Sequence, residues 1–127
     1  MSTNGHELIF KDLCYQIVGA AFEVHNELGY GFLEKVYENA LVVALRERAL
    51  QAEQQVPITV RFHDSVVGVY VADILVEESI ILELKSAECI ADIHRAQAIN
   101  YLKATGLRLA VIINFGKCKL DYQRIVL

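Results

Sequence analysis

Three charged side chains inside two apolar stretches are the residues of this chain best suited to chemistry. Asp73 interrupts one stretch, and Glu83 and Lys85 interrupt the next. An ionised carboxylate among apolar strand residues is costly unless a partner or a metal compensates its charge. Two carboxylates beside an ammonium are a usual set for Mg²⁺ or Mn²⁺ acting on phosphate. We therefore expect a divalent-metal site, with a structural salt bridge on a half-exposed sheet as the alternative.

Side-chain alternation along a strand predicts where these residues point. Glu83 and Lys85 should share one face, because successive strand residues point to opposite faces. Residues 77–79 are a short polar connection that suits an antiparallel hairpin and would bring Asp73 beside Glu83. Strict alternation also predicts a face opposite Asp73 that carries Tyr70, Ala72, Ile74 and Val76.

Composition predicts a single compact domain over residues 1–127. The chain is 54% hydrophobic, which supports a real core, and its apolar runs are too short to span a bilayer. Its first residues lack the basic and apolar regions of a signal peptide, so we expect a cytoplasmic protein. Its three cysteines have no paired spacing, which argues against zinc, an iron–sulfur cluster or disulfides. We expect reduced, mostly buried thiols at Cys14, Cys89 and Cys118.

The charge balance limits how the chain can hold a polyanion. A formal net charge of −4 counts against general electrostatic attraction to long nucleic acid. Any such ligand must meet a local basic patch, although each candidate is also an ordinary solvated surface. The candidate pairs are Arg46 with Arg48, Lys103 with Arg108, and Lys117 with Lys119.

Hydrophobic periodicity predicts three helices and five strands in the order α, α, β, β, β, α, β, β. This order indicates an α/β fold with one mixed sheet packed against helices, in which residues 80–114 form a right-handed parallel crossover. Pro57 places the first strand at a sheet edge. The predicted helices cover residues 8–28, 32–49 and 92–105, and the predicted strands cover 54–62, 66–76, 80–85, 107–115 and a segment after residue 116.

Four short segments together resemble a known family. The sequence GFLEKVY at residues 31–37 is a GxxExxY motif, and VADILV, ELK and HRAQAINYLKATG follow it in order. With these segments the chain resembles the bacterial GxxExxY protein family over nearly its whole length. That family is placed in the PD-(D/E)XK nuclease superfamily, so the resemblance implies a restriction-endonuclease-like fold with a mixed five-stranded sheet flanked by helices.

The resemblance assigns roles to individual residues. Asp73 becomes the aspartate of the motif, and Glu83 with Lys85 becomes its E-x-K pair. Glu34 becomes the acidic residue that such nucleases carry on a helix beside the metal, although a helix dipole also favours a carboxylate there. The proline that usually precedes the aspartate is replaced by Ala72.

A second element of the resemblance lies on the third predicted helix. Gln97 and Tyr101 resemble the Q-x-x-x-Y element of the RecB-like branch, and their spacing of four places them on one helix face. Gln97 either orients substrate or Lys85, or bonds a buried polar group. His94 either approaches phosphate or is an ordinary surface or core histidine, and Tyr37 is expected to pack rather than to react.

The expected reaction is metal-dependent hydrolysis of phosphodiester bonds in nucleic acid, with DNA favoured over RNA. Asp73 and Glu83 would bind Mg²⁺ or Mn²⁺, with the Leu84 carbonyl completing the protein ligands. Glu34 would contact the ion directly or through water, and Lys85 would position the attacking water. Two alternatives are a non-cleaving module that binds nucleic acid or protein, and hydrolysis of a small phosphodiester. A homodimer is also open, because one small domain offers little surface for gripping a duplex.

Overall fold

Two helices begin the part of the chain that the computed structural model describes, residues 10–127. Helix α1 spans Lys11–Leu28 and helix α2 spans Glu34–Glu47. Both present apolar residues at helical spacing to the interior, as the periodicity predicts. The second helix begins two residues later than predicted, because Leu33 still has extended backbone (φ −68°, ψ 153°). Residues 8 and 9 of the first predicted helix lie outside the described residues.

Five strands form one mixed sheet in the order β1-β2-β3-β4-β5. Among the strands of residues 10–127, the β3–β4 pair is parallel and the other pairs are antiparallel, and helix α3 connects β3 to β4. The predicted mixed five-stranded sheet flanked by helices is therefore confirmed, and Pro57 lies on an edge strand as expected. The elements are β1 (Ala52–Phe62), β2 (Ser65–Val76), β3 (Ile80–Lys85), α3 (Asp92–Thr105), β4 (Leu109–Asn114) and β5 (Asp121–Val126).

Helices cover both faces of the sheet. Helices α1 and α2 pack on one face, where Ile74, Leu82 and Val111 are buried. Helix α3 packs on the other face, against Ala72 and Ile81. Strands β3 and β4 are buried along nearly their whole length, because they lie between these two helical layers.

The predicted alternation along β2 is wrong at its most important residue. Ala72 belongs to the core under α3, whereas Ile74 belongs to the core under α1 and α2. The pairing of β1 with β2 passes over Gln55 and Asp73, although their neighbours on both sides are paired. Gln55 has a left-handed backbone (φ 55°), which a strand residue rarely adopts. The strand therefore changes faces at Asp73.

The prediction of mostly buried cysteines is also wrong. Cys14 is buried on α1, but Cys89 and Cys118 are exposed, and all three are free thiols. The two exposed residues lie in the connections that follow β3 and β4, outside the helices and strands. No helix within residues 10–127 is long and apolar enough to cross a membrane.

Candidate active site

The two predicted carboxylates meet in the gap where β2 and β3 separate. Regular pairing of these strands reaches only as far as Ile74 and Leu82. Beyond it, the backbone N–H of Asp73 donates to Glu83 Oε2 at 3.0 Å, and the backbone N–H of Leu84 donates to Asp73 Oδ2 at 2.8 Å. Each carboxylate thus accepts a hydrogen bond from the opposite strand. The structure brings Asp73 and Glu83 together as the sequence predicts.

Burial disfavours the charged forms of both carboxyl groups, and neighbouring carboxylates add to this effect. Burial raises the pKa of Glu83 to about 8, and the Asp73 charge adds to the increase. Burial also raises the pKa of Asp73, although its hydrogen bond from Leu84 opposes the change. Lys85 lowers the pKa of both groups, but by less than burial raises it. A cation between the two carboxylates would relieve this cost.

Lys85 ends β3 on the same face as Glu83. Leu84, between them, packs into the opposite core, so the predicted alternation holds along this strand. The Lys85 carbonyl accepts a hydrogen bond from Phe115 N–H at 2.9 Å, which joins the end of β3 to the end of β4. The ammonium is only partly buried and acts electrostatically on the carboxylate pair.

Glu34 approaches the pair from helix α2. It is the first residue of that helix, and its Oε2 accepts a hydrogen bond from Ser86 N–H at 3.1 Å. Glu34 is exposed, yet its charge raises the pKa of both Asp73 and Glu83. Within residues 10–127 no group of three or more His, Cys, Asp or Glu side chains is arranged to hold a metal. The structure therefore brings Asp73 and Glu83 together. Glu34 is held nearby by its hydrogen bond from the Ser86 backbone.

The GxxExxY motif forms the loop that positions Glu34. Gly31 has φ 112°, a conformation that residues with a side chain avoid. The buried Tyr37 hydroxyl donates to the Gly29 carbonyl at 2.7 Å and accepts from Phe32 N–H at 3.2 Å. Its ring stacks on Phe115, with centroids 4.7 Å apart. Tyr37 therefore packs and closes the loop, as expected.

Glu38 is a buried carboxylate that the sequence reasoning missed. Its Oε2 accepts from Gln54 Nε2 at 2.7 Å and its Oε1 from Gln55 Nε2 at 3.0 Å. Lys35 Nζ lies 3.0 Å from Oε2. Adjacent strand residues normally point to opposite faces, and the left-handed Gln55 allows both amides to reach one carboxylate. A charged residue among the apolar positions of α2 was the available sequence signal.

Asn114 and Gly116 hold the segment that follows Lys85. The fully buried Asn114 accepts from Ala87 N–H at 3.0 Å and donates to the Ala87 carbonyl at 2.9 Å. A Cβ on Gly116 would lie 2.5 Å from the Ala87 backbone and 2.7 Å from Ser86, so only glycine fits there. These contacts depend on tertiary approach, and sequence spacing gave no signal for them.

Gln97 and Tyr101 meet on α3 as their spacing predicts. Gln97 Nε2 donates to the Tyr101 hydroxyl at 2.8 Å. Burial raises the pKa of Tyr101, and the nearby charge of Glu83 raises it further. Tyr101 lies on the α3 side of the sheet, in the same core cluster as Ala72, the residue before Asp73.

Three further candidates, His94, Arg46 and Arg48, have contacts that stabilise the fold. His94 Nδ1 accepts from Ala91 N–H at 3.0 Å at the start of α3, a structural contact for its ring. Arg46 donates to the Ala52 carbonyl at 2.8 Å, and Arg48 donates to Gln16 Oε1 at 2.9 Å. The first predicted basic pair is therefore occupied within the fold.

The residues of this site fit a divalent cation. Two carboxylates with raised pKa values lie side by side, and bound Mg²⁺ or Mn²⁺ usually needs only one or two carboxylates besides water and phosphate oxygens. Because both groups must be ionised to act as ligands, binding would release any proton they retain.

Known proteins resemble this chain in sequence pattern and fold. A family model described as the PD-(D/E)XK nuclease superfamily matches residues 11–125. A crystal structure of a protein designated SSO0001 superposes with a TM-score of 0.60 at 16% identity, over 72% of this chain and 50% of that one. The chain thus spans half the length of that protein, and the likeness concerns the fold alone. Comparison with curated proteins gives no match.

Proposed function

Because the chain belongs to the PD-(D/E)XK nuclease superfamily, we propose that it hydrolyses phosphodiester bonds of nucleic acid with a divalent metal ion. Members of this superfamily typically use divalent metals. The observation that carries the proposal is the Asp73–Glu83 pair, in which each carboxylate accepts a backbone hydrogen bond from the opposite strand. This arrangement holds two carboxylates at a gap in the sheet, with Lys85 on the same face as Glu83, which supports a role as metal ligands.

The proposed roles follow from charge and position. Asp73 and Glu83 would hold the ion, the Leu84 carbonyl would complete the protein ligands, and Glu34 would contact the ion directly or through water. The ion supplies Lewis-acid activation of water and phosphate when bound. The Lys85 ammonium holds the attacking water and stabilises negative charge on the phosphate oxygens. Gln97 and Tyr101 orient the substrate backbone from α3.

The finer parts of the proposal rest on the sequence motifs. We assign the chain to the GxxExxY family and to the RecB-like branch, and we take residues 1–127 as one domain. DNA is the expected substrate ahead of RNA, Mg²⁺ or Mn²⁺ is the expected ion, and the cytoplasm is the expected location. Pairing of two chains is a further expectation, because one small domain covers little of a duplex.

A non-cleaving module on the same fold is the second candidate. It is favoured by the absence of a three-residue metal-binding group within the described part of the chain. Such a module would bind nucleic acid or a protein without hydrolysis, and would not need Lys85.

A cleavage assay separates the two candidates. Purified protein is incubated with labelled DNA and RNA in Mg²⁺, Mn²⁺ or EDTA. If the chain is a nuclease, we expect cleavage that requires metal and that is lost in Lys85→Ala. The control variant Lys11→Ala, in the helical layer on the opposite sheet face, should cleave normally. Metal-dependent cleavage by Lys85→Ala at the normal rate would contradict the role proposed for Lys85. Binding of DNA or RNA without cleavage in either metal would favour the non-cleaving module.

A further inference from the structure

A groove opens between α3 and the outer part of the β1–β2 hairpin. Its volume is about 1070 Å³, and Tyr101 and Gln97 form part of its wall. Tyr101 also belongs to the same core cluster as Ala72, the residue directly before Asp73 on β2. One wall of the groove therefore lies near the part of β2 that carries Asp73.

The charges that line this groove are positive. Arg61 lies on the hairpin and Lys103 on α3, and no Asp or Glu among residues 10–127 lines the groove. The whole chain has a formal net charge of −4, so the local excess of positive charge in the groove is opposite in sign to the net charge of the protein. A positively charged channel is what a phosphate backbone requires for binding.

The groove also offers surfaces for nucleobases. Tyr70 lies on β2 with 52% of its surface exposed, and its ring centroid is 5.9 Å from that of Tyr101. Ile93, at the start of α3, is 73% exposed. The Gln97 and Asn100 amides add hydrogen-bonding groups to the same wall. Exposed aromatic rings beside cations are the combination that holds unpaired bases and their backbone.

We propose that this groove binds single-stranded nucleic acid and leads it to the Asp73–Glu83 pair. The inference rests on the proposed function and specifies the form of the substrate. A duplex keeps its bases stacked and paired, so it presents no free base face to Tyr70. The groove volume, slightly above the roughly 300–1,000 Å³ of small-molecule pockets, also exceeds what one small phosphodiester needs.

Binding measured without cleavage tests the groove apart from catalysis. Fluorescence anisotropy follows a labelled oligo-dT strand of about 12 nucleotides, and a duplex of equal length, in Ca²⁺ at several salt concentrations. The strand should bind more tightly than the duplex. Tyr70→Ala should weaken strand binding about tenfold, while Tyr70→Phe, which keeps the ring, should stay within about twofold of the unaltered protein.

Two matched charge reversals test whether Lys103 contributes to strand binding. Lys103→Glu, on the exposed side of α3, should weaken strand binding. The slope of log affinity against log salt concentration should fall by about the value of one phosphate contact. Lys11→Glu makes the same charge change on α1, under the opposite sheet face, and should leave binding unchanged. Thermal melting of each variant verifies that it is folded.

The outcomes distinguish the groove from the hydrolase. Equal binding of strand and duplex, or equal effects of Lys103→Glu and Lys11→Glu, would overturn the groove even if the protein cleaves nucleic acid. Tight strand binding that depends on Tyr70 and Lys103 would support the groove even if no metal produces cleavage. A mononucleotide that displaces the strand at equal concentration would assign the groove to small ligands and overturn the proposal.

Discussion

Asp73 donates its backbone N–H to the Glu83 carboxylate at 3.0 Å, at the residue where β2 changes faces. This hydrogen bond replaces the strand pairing that ends at Ile74 and Leu82. The separation of β2 from β3 leaves room for the Asp73 and Glu83 side chains between the strands. In a continuous sheet both side chains would point to the sheet faces instead. The carboxylate pair is therefore a product of the irregularity in the sheet.

The stability of the metal-free protein should fall as pH rises from about 5 to about 8. Folding raises the pKa of Glu83 from 4.5 to about 8, chiefly through burial. In that interval the folded chain keeps a proton that the unfolded chain releases, so each increase in pH favours unfolding. Thermal melting in EDTA across this range should show the decline.

Glu83→Gln should flatten this profile, because the amide does not titrate. Some decline will remain, since the pKa of Asp73 is raised as well. Glu47→Gln, an exposed change on α2, is the control and should keep the full decline. A Glu83→Gln profile as steep as that of the unaltered protein would contradict the assignment of the raised pKa.

Glu38→Ala should destabilise the fold by roughly 1 kcal/mol, because the Gln55 side chain loses its hydrogen bond to the carboxylate and Gln54 keeps only its bond to Asn39 Oδ1 at 2.8 Å. It should also weaken Mn²⁺ binding, since Gln55 opposes Asp73 where the pairing is interrupted. Urea unfolding and calorimetric titration measure the two effects. Glu47→Ala removes a carboxylate from the same helix and should change neither. Normal stability and normal Mn²⁺ affinity in Glu38→Ala would show that Gln55 keeps its conformation without this contact.

Gly116→Ala should disturb the segment after Lys85, because its Cβ would meet the Ala87 backbone at 2.5 Å. Backbone must move to relieve such a contact, so we expect destabilisation and slower cleavage. Gly68→Ala is the matched change, since its Cβ meets only the Tyr70 ring at an ordinary 3.6 Å. Melting temperature and cleavage rate of the two variants provide the comparison, and equal values would argue against close packing at Gly116.

Local patterns in the sequence predicted most of the fold. The polar residues 77–79 gave the β2–β3 hairpin, and alternation placed Glu83 and Lys85 on one face. The spacing of Gln97 and Tyr101 predicted their contact on α3. Each of these features depends on residues close together in the chain, which periodicity describes well.

Tertiary contacts decided what the patterns missed. The change of faces at Asp73 coincides with the left-handed backbone of Gln55, whose side chain bonds Glu38 seventeen positions earlier. Asn114, at the end of β4, likewise bonds Ala87 in the connection that follows β3. Spacing along the chain carries no information about such pairs, so strict alternation was the wrong assumption for β2 while it held for β3.

Calorimetric titration of Mn²⁺ at about pH 8, close to the raised pKa of Glu83, tests the central claim most directly. Asp73 and Glu83 together should bind a Mn²⁺ ion, and Asp73→Asn or Glu83→Gln should each weaken binding at least about tenfold. Glu47→Gln, remote from the pair on α2, should bind as the unaltered protein does. Absence of Mn²⁺ binding, or equal affinity in all of these proteins, would contradict a metal site between the two carboxylates.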